Sequence, residues 1–127
     1  MGKVKALELF RKIYFKAAYE CKDFLKNKLQ DEDFLKIFPH DFVQTVRSEN
    51  SVWKSEIISD NENGSEFRIY TCPFRDFCAA YNVPEIATIF CESDDIMYSE
   101  LHPKIKWERN GTLARGNAYC DFRIVRC

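Results

Sequence analysis

Apolar residues return at alternating three- and four-residue steps through the first part of the chain. Leu7, Phe10, Tyr14, Ala17, Cys21 and Phe24 form this stripe and lysines fill the opposite face, which predicts one amphipathic helix over residues 3–29. Cys21, inside the stripe, reads as a small buried hydrophobe. Asp31-Glu32-Asp33 offers a cap for a short helix that Pro39 should end, and residues 40–50 read as a short helical turn. The period then changes to two. Val52 to Ile58 and Glu66 to Thr71 read as a hairpin over residues 52–71, joined by the polar run Ser59 to Ser65.

Pro73 and Pro84 each suit a first helical position, where the missing N–H costs nothing, so helices are expected over 73–81 and 84–99. His102-Pro103 breaks the chain, Ile105 to Arg109 alternates as a strand, Asn110-Gly111 turns it, and residues 119–125 make the last strand. The order predicts a single α+β domain over 1–127. Its antiparallel sheet of about four strands should pack against the N-terminal helix and the two central helices.

Composition narrows the functions open to such a domain. Nineteen basic residues are matched by 20 acidic ones, for a net charge of -1, and this balance argues against nucleic-acid binding. The basic residues between Lys3 and Lys28 are interrupted by Glu8, Glu20 and Asp23, as on a solvated helix face. No apolar run follows the first lysines to make a signal peptide, position 6 is Ala where myristoylation wants Ser or Thr, and no segment has the apolar length of a membrane span. The expected location is cytoplasmic, where six cysteines read as thiols rather than a disulfide framework.

Three thiols stand in settings that could give them work. Cys72 ends a strand and precedes Pro73, at or near a helix N-cap where free N–H groups and the helix dipole favour a thiolate. That predicts the most acidic thiol of the six, although filling space at a strand end explains the residue equally well. Cys91, Asp94 and Asp95 share one face of the helix over 84–99, the carboxylates falling about 60° and 40° to either side of the thiol. Cys120 alternates in phase with Phe122 and Ile124 and so points to the core side of the sheet, with Asp121 opposite. Arg109 shares the Ile105/Trp107 face of its strand and is the first choice, ahead of Arg115 and Arg123, to fork a carboxylate. Gly116 supplies a backbone conformation closed to other residues.

Tyr70-Thr71-Cys72-Pro73-Phe74, Phe90-Cys91-Glu92-Ser93-Asp94 and the run from Thr112-Leu113 through Gly116 to Cys120-Asp121-Phe122 together resemble the family of L-2-amino-thiazoline-4-carboxylic acid hydrolases, over roughly Cys72 to Phe122. The resemblance implies a hydrolase that opens a 2-aminothiazoline ring at its amidine-like carbon, giving a carbamoyl derivative of cysteine, with a small carboxylate-bearing substrate as partner. In that frame Cys72 is the nucleophile, Asp94 the general acid/base and Arg109 the carboxylate clamp, while Cys91 and Cys120 line the substrate pocket. No cofactor is called for. The alternative is a non-enzymatic small-ligand- or zinc-binding domain of the 4-vinyl-reductase type, in which Cys72, Cys91 and Cys120, with Asp94 or His102, hold the metal. The cysteine spacings, 18 and 28 intervening residues, contain no Cys-x-x-Cys knuckle.

Overall fold

In the computed structural model, which describes residues 2–48 and 53–127, the first apolar stripe forms helix α1, Lys3–Lys28. Its main packing partner is a second helix, α4, Pro84–Tyr98, where Phe10 and Tyr14 meet the Phe90 ring. Ala17 and Cys21 of the stripe border a cavity rather than a filled core. Ala18 is buried, but Cys21 and Phe24 are exposed. The expectation of a buried Cys21 is therefore corrected.

A second correction concerns Pro39, which stands inside helix α2, Glu32–Ser48, instead of ending it. A proline within a helix removes the N–H that would bond the carbonyl four residues earlier. Here that carbonyl belongs to Leu35, and the Arg126 guanidinium donates to it at 3.1 Å. The Pro39 ring itself is buried. A side chain 91 residues away thus supplies the donor that the helix lacks, and α2 continues to lie across the first two strands.

Those strands are β1, Ser55–Asn61, and β2, Gly64–Ile69, joined by a two-residue turn far tighter than the polar run suggested. The polar residues are taken into the pairing: Ser65 donates to Asp60 at 2.8 Å, and His40 from α2 bonds the same carboxylate. Gly64 has φ +140, and a Cβ there would lie 2.1 Å from the Ile124 carbonyl oxygen. Val52, the expected start of the hairpin, lies outside the described residues.

Helix α3, Pro73–Ala80, follows, then α4, strand β3 (Ile105–Glu108), a 3-10 turn (Leu113–Arg115) and strand β4, Cys120–Arg126. The sheet is antiparallel in the order β1-β2-β4-β3. The fold is α+β. Phe67 and Phe122 stack at 4.9 Å on one face of the sheet, and Phe42 of α2 packs over both. This aromatic layer is the floor on which the site is built. Among the described residues, no helix is long and apolar enough to cross a membrane.

Candidate functional site

The chain leaves β2 at Ile69 and reaches Cys72 in an extended conformation, φ -115 and ψ 106, as the N-cap of α3. Its Sγ accepts from the Arg75 N–H at 3.4 Å, and Pro73 occupies the position that needs no donor. The local geometry is the one read from the sequence. Its electrostatic consequence is not. Burial pushes the Cys72 thiol up, against the opposing pull of the Arg75 and Phe74 N–H groups and the Arg75 charge. Desolvation of a thiolate outweighs two N–H contacts and an exposed guanidinium, so the expected depressed pKa is overturned.

Across the site, α4 presents Cys91, Asp94 and Asp95 to the Arg109 guanidinium, which the end of β3 delivers. Arg109 Nη1 lies 3.3 Å from Asp94 Oδ2, and Nη2 donates to Asp95 Oδ1 at 2.9 Å and to the Cys91 carbonyl at 2.6 Å. The arginine side chain is only 1% exposed and lies over the Trp107 and Phe122 rings at 5.1 and 5.3 Å. Its Nε has no hydrogen-bond partner among the described residues. Arg115 closes the cluster from the loop, 3.1 Å from Asp95 Oδ2, whereas Arg123 pairs with Glu108 on the surface.

Asp94 has its pKa raised to about 6 by burial, with Arg109 pulling it back down and Asp95 pushing it further up. Its side chain keeps 39% of its surface open and borders the same cavity as Ala17 and Cys21 of α1. A carboxyl group poised near neutrality beside a cation can both take and return a proton.

The third wall comes from the segment before β4. Thr112, fully buried, caps the 3-10 turn by accepting from Arg115 N–H at 3.2 Å, and Asn117 Oδ1 accepts from its own N–H at 3.0 Å. The Leu113 N–H donates to Cys120 Sγ at 3.2 Å. Burial raises Cys91 against the pull of Thr112, Arg109 and Arg115. Burial, with the Cys91 and Cys72 thiols nearby, pushes Cys120 up to about 11. Asp121 turns away from the site and accepts from the Asn110 and Gly111 N–H groups, while Gly116 has φ +91.

Cys72, Cys91, Asp94, Arg109 and Cys120 all border one cavity of about 370 Å³. Sequence reasoning missed Thr112, although the Thr-Leu motif marked it. It also missed the aromatic wall of Tyr14, Trp53, Phe74 and Phe90. His102 lies elsewhere, accepting from the Lys104 N–H. Among the described residues, no three His, Cys, Asp or Glu side chains converge in a way that could hold a metal ion. The donor set does not fit zinc.

An aromatic-walled cavity in a small α+β domain, bordered by thiols and an arginine-bound carboxyl, makes a candidate small-molecule site. The family model for L-2-amino-thiazoline-4-carboxylic acid hydrolase matches residues 1–124. The chain belongs to that family, and the match extends well beyond the motif-bearing half. No curated protein and no solved structure matches it.

Proposed function

We propose that this protein is a hydrolase that opens the ring of a 2-aminothiazoline-4-carboxylate to a carbamoyl-cysteine. The observation that carries the reading is Asp94: a carboxyl group with its pKa near 6, held by a buried arginine on the border of a cavity of small-molecule size. Family membership supports it.

The ring carbon under attack is bonded to two nitrogens and a sulfur. Cys72 is neutral at rest, so its attack requires a base, and the Asp94 carboxylate takes the thiol proton. The tetrahedral carbon collapses by breaking the ring C–N bond, and Asp94 returns the proton to the departing nitrogen. Water then attacks the covalent carbon and releases Cys72, so that one water is consumed and the amidine carbon becomes a carbonyl. Nη2 of Arg109 is fully engaged by Asp95 and the Cys91 carbonyl and Nη1 gives one hydrogen to Asp94, so the second Nη1–H and the buried Nε–H are the donors left for the substrate carboxylate. Cys91 and Cys120 line the pocket.

The test is incubation of the purified protein with 2-aminothiazoline-4-carboxylate, followed by mass spectrometry for a product heavier by one water. No such product from folded protein would sink the hydrolase reading. A product bearing a free thiol would move the broken bond from C–N to C–S. A ligand-binding domain without turnover is the second reading, favoured by the raised pKa of all three thiols.

A further inference from the structure

The cavity is far less polar than an aminothiazoline carboxylate requires. Its charged groups are Asp94 and Arg109. Ser93 also borders it, but the Ser93 hydroxyl is committed to the Ile89 carbonyl at 2.9 Å. The remainder of the wall includes a continuous aromatic row. Tyr14 meets Phe90 at 4.9 Å, Phe90 meets Phe74 at 4.7 Å, and Phe74 meets Trp53 at 5.2 Å. Phe74 is 47% exposed and Tyr14 36%, so these rings retain apolar surface for a ligand to cover.

A second cavity, of about 230 Å³, lies against the same Trp53, Phe74 and Asp94 and is walled by Phe42 and Tyr98. Asp94 thus stands at a junction, with aromatic space on both sides.

Size points the same way. A volume of about 370 Å³ lies in the range of roughly 300–1,000 Å³ that takes drug-sized ligands, whereas the aminothiazoline carboxylate has only about nine non-hydrogen atoms. Resting on the hydrolase reading for its polar end, we infer that the natural substrate carries an apolar body of aromatic or branched-alkyl size on its carboxylate-bearing head. The aminothiazoline ring is the head alone. It lies against the Asp94–Arg109 pair, and the body lies along the Tyr14–Phe90–Phe74–Trp53 row.

Calorimetric titration of three compounds tests this: 2-aminothiazoline-4-carboxylate, its 5-phenyl derivative, and 3-phenylpropionate, which has the body without the ring. Burying a phenyl group should tighten binding of the derivative at least about tenfold over the parent. Ala17→Phe, which fills the apolar end from α1, should bring that ratio close to one, and Phe74→Ala, which removes part of the wall, should lower it. If the parent ring is opened but the phenyl derivative binds no better, the inference falls and the hydrolase reading stands. If both phenyl compounds bind and no ring is opened, the hydrolase reading falls and the amphiphilic ligand stands. Failure of both phenyl compounds to bind overturns the inference whatever the parent does.

Discussion

Asp94 and Arg109 meet at 3.3 Å, the carboxyl group on the cavity border and the guanidinium buried behind it. The contact stabilises the carboxylate, but burial outweighs it and leaves the pKa at about 6. Because the proposed first step uses the ionised form, kcat/KM should fall roughly tenfold per pH unit below about 6. Asp94→Asn should remove that limb and lower turnover by about 10²–10⁴-fold while the fold persists. A flat profile from pH 5 to 7 would remove Asp94 from proton transfer. Stability carries the opposite sign. A folded pKa above the ordinary 3.8 means that the native state binds more protons between about pH 4 and 6, so this group's contribution declines as pH rises through that window.

Cys72 should behave as a buried thiol rather than a primed one. Iodoacetamide at neutral pH is expected to label the exposed Cys21 and Cys127 before Cys72, as mass spectrometry of timed samples would show. Faster labelling of Cys72 would mean that the helix terminus outweighs desolvation after all. Cys72→Ser should cost turnover at least about a hundredfold, the scale for losing a nucleophile assisted by a base. Cys120→Ser should cost much less, because Cys120 accepts a structural hydrogen bond from Leu113.

What could be read from the sequence was what short-range geometry determines. The Cys72-Pro73 cap depends on adjacent residues, the inward phase of Cys120 on a period of two, and the common face of Cys91, Asp94 and Asp95 on one helical turn. What could not be read depends on the assembled fold. Pro39 looks like a helix end until Arg126 arrives from the last strand to satisfy Leu35. The α1 stripe looks like core packing, yet part of it borders a cavity, which leaves Cys21 exposed. The Cys72 pKa escapes a local reading because the N-cap is a local feature whereas burial is a property of the whole fold.

Gly64 should tolerate no side chain. A Cβ would lie 2.1 Å from the Ile124 carbonyl oxygen, on a backbone at φ +140. Neither the strand pair nor a flexible side chain can move aside, because the obstacle is the backbone of β4. Gly64→Ala is expected to lower stability by about 1–3 kcal/mol in urea unfolding. An unchanged midpoint would show that the turn relaxes to another conformation.

The pairing of Pro39 with Arg126 can be tested by a double-mutant cycle. Arg126→Met keeps a long apolar stem but removes the donor to the Leu35 carbonyl, leaving a part-buried acceptor without its partner, at a cost of about 1–3 kcal/mol. In a Pro39→Ala background the backbone N–H restored at that position can close the ordinary helical bond to the same carbonyl, so Arg126→Met should cost less there. Pro39→Ala alone loses the packing of a buried ring, which is why the coupling, and not either single change, carries the information. The expected coupling is about 0.5–2 kcal/mol. An equal cost for Arg126→Met in both backgrounds would mean that the guanidinium acts elsewhere and that α2 passes through Pro39 without its help.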